Sequence, residues 1–159
     1  YICSNKSCNS LFNIKENVLQ FKCSKCQSPL ALKKNIQLPE NFKQLVKERD
    51  ANLWRYKEAL PLEFSLENVV SLGEGMTPLI PFQTDFCKNL KLKMDYLFPS
   101  GSYKDRGASV LLTKVKELGI EKVCEDSSGN AGSAIAAYSA LADVDCTVFC
   151  PASTSVGKL

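Results

Sequence analysis

Two sets of residues carry reactive groups at spacings that suggest chemistry: a lysine just inside a glycine-serine turn, and four cysteines in two close pairs. The lysine is Lys104, in the stretch FPSGSYKDRGAS from Phe98 to Ser109. The segment after Gly101 reads as a helix start, where the positive end of the helix dipole disfavours cations, yet both Lys104 and Arg106 are cations. The dipole end and Arg106 work against the charged form of Lys104, and Asp105 works for it. A neutral amine is the nucleophile that condenses with a carbonyl. The other reading is an exposed lysine snorkelling from a helix start, and position alone leaves both open.

The eight cysteines fall into two groups. Cys3, Cys8, Cys23 and Cys26 form C-x4-C followed by C-x2-C within the first 26 residues. Two short pairs at this separation place four thiolates at the tips of two knuckles, which suits a structural tetrahedral zinc in a ribbon and leaves no open coordination position. Two disulfides, or four unrelated thiols, are the alternatives. Cys87, Cys124, Cys146 and Cys150 are scattered, and the last three lie in strand-like runs, where cysteine is expected to behave as a small core hydrophobe. Histidine is absent, which removes Ser-His-Asp and Cys-His catalysis and every histidine-bearing metal site.

The chain that must position these groups has 159 residues, 45% of them apolar, enough for one ordinary domain and a small appendage. Twenty basic against 17 acidic residues leave a net charge of +3 with no like-charged block, which argues against nucleic acid as a partner. No apolar run suits a bilayer span and no basic-then-apolar leader is seen. A soluble, cytoplasmic protein is expected.

After a polar stretch around Pro39, FKQLVKERDANLWRYKEALP predicts one or two short helices stopped by Pro61, and VVSLGEGMTPLIPF predicts a loop between extended pieces. KLKMDYLF reads as a strand. GSYKDRGASVLLTKVKELG reads as a helix with Val110, Leu111, Val115 and Leu118 on its inner stripe, Ser102 as N-cap and Gly119 as stop. EKVCE, NAGSAIAAYSALAD and DCTVFC then predict strand, helix and strand. Alternation of this kind predicts a parallel α/β sheet with right-handed crossovers and a ligand site at the carboxyl ends of its strands. DSSGNAGS lies at such an end. Its backbone N–H groups from Ser128 to Ala131 can converge on an anion at a helix N-terminus, or Ser127, Ser128 and Asn130 can serve as plain caps. The glycine spacing is not a dinucleotide fingerprint.

In this order and spacing, PSGSYKDRGAS, preceded by GEGMTPL and followed by SSGNAGSA and PAS, closely resembles the fold-type-II pyridoxal-phosphate enzymes. Within them, the cysteine ribbon and LWRYKEALP are most similar to the threonine synthase branch. The resemblance covers nearly the whole chain. It implies that Lys104 condenses with pyridoxal phosphate and then moves protons, that Asn130 bonds the phenolic oxygen of the cofactor, and that Ser127, Ser128, Gly129, Asn130 and Ala131 hold the substrate carboxylate. The implied layout is a four-cysteine zinc ribbon over 1–35, the N-terminal segment of the large cofactor domain over 36–98, and the start of a smaller α/β domain carrying the lysine over 99–159.

The implied reaction converts O-phosphohomoserine and water to threonine and phosphate, in an enzyme that is a homodimer when full length. Another fold-type-II activity, cysteate synthase or serine/threonine dehydratase, would share Lys104 and Asn130. A zinc-ribbon interaction module without catalysis is a third reading. The family's glycine-rich phosphate cup and its serine or threonine facing the ring nitrogen lie later in the sequence than Leu159. The chain is therefore expected to be the N-terminal part of a longer enzyme and to be inactive by itself. The C-x4-C knuckle, and FPS where the family often has an asparagine-proline pair, depart from the family pattern and leave the subfamily, not the fold, open.

Overall fold

The computed structural model describes residues 1–13, 20–33, 36–60 and 63–158. The chain forms two compact units, Tyr1–Glu40 with Glu58–Pro61, and Asn41–Lys57 with Leu62–Leu159. None of its described helices is long and apolar enough to cross a membrane.

In the first unit, β1 (Ile2–Cys3) pairs antiparallel with β2 (Leu30–Ala31). Each cysteine pair closes a tight turn. Cys8 N–H donates to the Asn5 carbonyl at 3.0 Å, and Gln27 N–H donates to the Cys23 carbonyl at 2.9 Å. The residue after the second cysteine of each pair, Asn9 and Gln27, is left-handed, with φ of 46° and 59°. The x4 spacing of the first pair thus ends in the same reversal as the x2 spacing of the second. Among the described residues of 1–40, only Cys3 and Cys23 are buried, while Leu11 and Phe21 are exposed.

The second unit opens with α1 (Phe42–Glu48), and a 3-10 segment, Leu53–Ala59, follows and belongs to this unit through Lys57, so the run forms two short helices as expected. The expected stop at Pro61 lies outside the described residues. A loop carries the chain past Gly73, Gly75 and Met76, all at positive φ. Then β3 (Leu79–Thr84) and β4 (Cys87–Lys93) form an antiparallel hairpin. KLKMDYLF is therefore only half strand. The strand ends at Lys93 and Asp95–Leu97 is a 3-10 turn, because Met94 leaves extended geometry at φ −82°, ψ 57° and Asp95 is drawn into the ion pair described below.

Next come α2 (Asp105–Glu117), β5 (Lys122–Glu125), α3 (Asn130–Ala142) and β6 (Asp145–Val148). β5 and β6 pair in parallel, Lys122 opposite Asp145 through Glu125 opposite Val148, with α3 as the connection. The core is Val70, Ala108, Leu112, Val115, Ala134, Ile135, Tyr138, Ala142 and Val144. Truncating the fully buried Leu112 to alanine would cost about 2–5 kcal/mol.

Three expectations need correction. The inner face of α2 is Asp105, Ala108, Ser109, Leu112, Thr113 and Val115, and Leu111 is half exposed. The helix turns a polar stripe inward because that stripe is hydrogen-bonded. Thr113 accepts the Val70 N–H at 2.9 Å, and the Ser109 hydroxyl donates to the Val70 carbonyl at 2.7 Å. Second, α2 starts at Asp105 with Lys104 in the N-cap position. Ser102 accepts the Lys104 N–H at 3.3 Å in the preceding turn and does not cap the helix. Gly119 does end it, at φ 65°. Third, Cys124 and Cys150 are exposed. Side chains alternate along β5, and Val123 and Glu125 take the covered side, which leaves Cys124 on the other. Cys150 lies beyond β6, and Cys146 packs against the core as expected.

Candidate functional site

Lys104 reaches its place through a turn that is locked on both sides of it. Asp105 is fully buried and accepts the Ser100 N–H at 2.8 Å and the Ser100 hydroxyl. Arg106 grips Asp95 at two points, 2.6 and 3.1 Å, and its guanidinium lies 4.5 Å over the Phe98 ring. The cations at this helix start are thus accommodated. Asp105 provides the acid that the dipole favours, Asp95 neutralises Arg106, and the Lys104 ammonium lies 5.1 Å over the Tyr103 ring.

A cavity of about 170 Å³ opens beside Lys104. Lys104 lines it from the N-cap of α2, α2 contributes Gly107 and Ala108, β5 contributes Glu125, and α3 contributes Ala131, Ala134 and Ile135. The cavity lies at the carboxyl end of β5, where open α/β sheets take ligands. Of the residues singled out in the sequence, Lys104 and Ala131 line it. Ser127, Ser128, Gly129 and Asn130 immediately precede Ala131 but are not among its walls.

The loop before α3 is held tight by one glycine. A Cβ on Gly132 would lie 2.0 Å from the Ser127 carbonyl oxygen, so the first turn of α3 rests directly on the loop backbone. The Ser127 hydroxyl accepts the Gly129 N–H at 3.3 Å in a local turn, and no side chain caps α3. Ser127 therefore stabilises the loop itself and leaves the first N–H groups of α3 without a side-chain cap, the arrangement an anion can use.

Sequence reasoning missed three acids. Glu125 lines the lysine cavity, and its signal is a carboxylate on the covered face of a strand, where the alternation calls for an apolar residue. Asp95 lay inside a supposed strand. Its carboxyl is held below the usual range, first by the Arg106 hydrogen bonds and then by the Thr77 hydroxyl at 2.7 Å. Glu74, in the GEG turn, is 1% exposed. It receives Tyr138 OH at 2.8 Å, and burial, more than the Glu74 contact, pushes the Tyr138 hydroxyl above its usual range.

In the first unit, the sulfurs of Cys3, Cys8, Cys23 and Cys26 all lie within 4.8 Å of one another. Cys3 and Cys26 are 3.4 Å apart, and Cys8 and Cys23 are 3.7 Å apart. All four are free thiols, so the disulfide alternative does not describe this structure. Tetrahedral zinc with bonds of about 2.3 Å needs sulfurs about 3.8 Å apart, close to the two separations of 3.4 and 3.7 Å. Hydrogen bonding from Ser28 brings the Cys26 thiol down to about 6, the Ser10 hydroxyl lowers Cys8, and burial pushes Cys3 up to about 12.

Known proteins share this arrangement of sequence. A threonine synthase of Methanocaldococcus jannaschii is 38% identical over 124 residues, covering 72% of this chain and 29% of the relative. One of Methanosarcina acetivorans is 33% identical over 146 residues, 87% of this chain and 35% of the relative. One of Halalkalibacterium halodurans is 38% identical over 111 residues, 67% of this chain and 31% of the relative. The chain spans about a third of the length of these curated relatives. Residues 70–159, from the Glu74 turn through the lysine helix and the Ser127–Ala131 loop, match the family described as pyridoxal-phosphate dependent enzyme. Since that match covers more than half of the sequence, the chain belongs to the family of pyridoxal-phosphate dependent enzymes.

Proposed function

We propose that the protein to which this chain belongs is a threonine synthase, which converts O-phosphohomoserine and water to threonine and phosphate in the cytoplasm, as a homodimer. The observation that carries the reading is the shared cavity of Lys104 and the start of α3 at the end of β5. Pyridoxal phosphate, when bound, supplies an electron sink for charge developing on the substrate carbons. Lys104 would hold the cofactor at its aldehyde carbon, and its Nζ is the group placed to carry protons between substrate positions. Asn130, one residue before the cavity wall Ala131, would bond the phenolic oxygen of the ring. The N–H groups of Ser128 to Ala131, together with Ser127, orient the substrate carboxylate. The walls that Ala108, Ala134 and Ile135 form beside the amine are small and largely apolar.

The roles proposed for Cys3, Cys8, Cys23 and Cys26 are structural. Four thiolates at the observed spacing would hold one zinc ion with no open position, so the metal would fold the first unit and take no part in the reaction.

Lys104→Ala tests the catalytic reading. In the complete enzyme it is expected to abolish turnover and the visible absorbance of the bound cofactor. Lys114→Ala, whose ammonium bonds the Glu63 carbonyl at 3.2 Å on the later part of the same helix, is expected to leave both nearly unchanged. Survival of the absorbance band in Lys104→Ala would assign the cofactor to another lysine.

A further inference from the structure

Glu74 sits in a turn yet is 1% exposed, and its carboxylate collects donors from several parts of the unit. Trp54 Nε1–H donates to Oε1 at 3.1 Å, the Ser71 hydroxyl reaches both oxygens at 3.1 Å, and Leu72 N–H and Tyr138 OH donate to Oε2 at 2.9 and 2.8 Å. The Trp54 N–H is shared with the Ser109 hydroxyl oxygen at 3.0 Å, and Ser109 in turn donates to the Val70 carbonyl. The same residue is tied through its backbone, since the Glu74 carbonyl accepts the Leu53 N–H at 2.7 Å. Gly75 allows that approach, because a Cβ there would lie 2.6 Å from the Leu53 nitrogen.

This network joins the two helices that carry the candidate site. Ser109 lies five residues beyond Lys104 on α2, about 7.5 Å along the axis, and Tyr138 lies eight residues beyond Asn130 on α3, about 12 Å along. Apolar packing between helices tolerates sliding, whereas a carboxylate with four donors fixes direction as well as distance. We propose that Glu74 is a positioning residue of the Lys104 site, holding α2 and α3 in the placement that brings Lys104 and Ala131 to one cavity. The proposal rests on the reading of Lys104 as the lysine that meets the cofactor.

The bonding pattern makes the isosteric amide informative. Each carboxylate oxygen receives one donor that cannot turn round, the Leu72 backbone N–H at Oε2 and the Trp54 indole N–H at Oε1. Only Trp54 has a second acceptor, Ser109. Glu74→Gln should therefore turn its NH2 toward Trp54 and send the indole wholly to Ser109. Trp54 is the single tryptophan of the chain, so its emission reports the change.

The test compares Glu74→Gln and Tyr138→Phe with Val115→Ala, a truncation in the same core at the far end of α2 that touches none of these bonds. Each protein is treated with millimolar pyridoxal phosphate and borohydride. Peptide mapping then gives the yield at Lys104 relative to exposed Lys116, with circular dichroism and thermal midpoints as the record of folding. Both network variants are expected to lower the Lys104 to Lys116 ratio roughly tenfold or more while still folded, since displacements of about 1 Å have effects of this size. Trp54 emission should shift in Glu74→Gln, and Val115→Ala should keep the wild-type ratio at an equal or greater loss of thermal midpoint. If Glu74→Gln does not fold, Tyr138→Phe decides alone. An unchanged ratio in the folded network variants, or an equal fall in Val115→Ala, overturns the assignment of Glu74. Trapping of the wild-type protein chiefly at a lysine other than Lys104 overturns the cofactor reading and this proposal together.

Discussion

Asp95 and Arg106 form a two-point ion pair, Nη1 to Oδ2 at 2.6 Å and Nη2 to Oδ1 at 3.1 Å, that fastens the first turn of the lysine helix to the 3-10 turn after β4. The Thr77 hydroxyl adds a third bond to the same carboxylate, and the Lys93 ammonium holds the Thr77 carbonyl. Both motifs flanking this turn, GEGMTPL and SYKDRG, are therefore tied to one acid that neither contains.

A stability measurement across pH checks this pair. The folded state holds the Asp95 carboxyl below its usual range, chiefly through Arg106. Its contribution is thus complete above the unfolded value, near 4, and is lost as pH falls through the folded value. Charge-assisted bonds of this kind contribute about 1.5–3 kcal/mol, but the two side chains are 36% and 26% exposed, which weakens the pair. Asp95→Asn is expected to cost about 1–2 kcal/mol at pH 7 by denaturant titration, and the difference from wild type should shrink as pH drops below about 4. A difference that stays constant down to strong acid would mean that the pair contributes shape and not charge.

The two glycines of SSGNAG give opposite predictions. Gly129 has φ of −120°, and a Cβ there would meet only the Ser127 hydroxyl at 3.9 Å, so Gly129→Ala should change stability by less than about 1 kcal/mol. A Cβ on Gly132 would meet the Ser127 carbonyl oxygen at 2.0 Å and Val148 Cγ1 at 3.2 Å. Backbone cannot yield there as a side chain can, and Gly132→Ala should cost about 3 kcal/mol or more. Thermal unfolding of the two variants side by side decides it, and equal tolerance of both would show that α3 does not rest on the loop as the structure has it.

The alternation of helices and strands after Lys91, and the tight cysteine turns, were legible because they depend on short-range pattern: turn formers, apolar period and ligand spacing. The features that escaped were set by partners distant in sequence. Leu111 belongs to an apolar run, but Ser109 and Thr113 win the inner face because Val70, some forty residues earlier, offers them its backbone. Glu74 looked like part of a turn because its donors Trp54 and Tyr138 lie 20 and 64 residues away. Lys104, Ala131 and a ligand site at the carboxyl end of a parallel strand could be named from the sequence, but the other walls of the cavity could not, since Glu125, Ala134 and Ile135 reach Lys104 only through the return of α3 beside β5.

The cysteine cluster gives the sharpest test of the forces that hold the first unit together. Among the described residues of 1–40, the buried ones are two cysteines, and Leu11, Phe21 and Leu32 remain exposed, so apolar burial there is too small to fold 40 residues unaided. If zinc supplies the missing stability, protein purified without chelators should carry one zinc per chain by atomic emission. Cys23→Ala should remove it, and backbone amides of the first unit should then exchange with solvent at nearly unfolded rates while those of α2 and α3 stay protected. Because thiolates bind the metal and thiols do not, zinc affinity in a chelator competition should fall between pH 8 and pH 6. Zinc-free protein whose Cys3, Cys8, Cys23 and Cys26 amides are already protected would show that the turns around Asn5 and Gln27 suffice, and that the cluster is not a metal site.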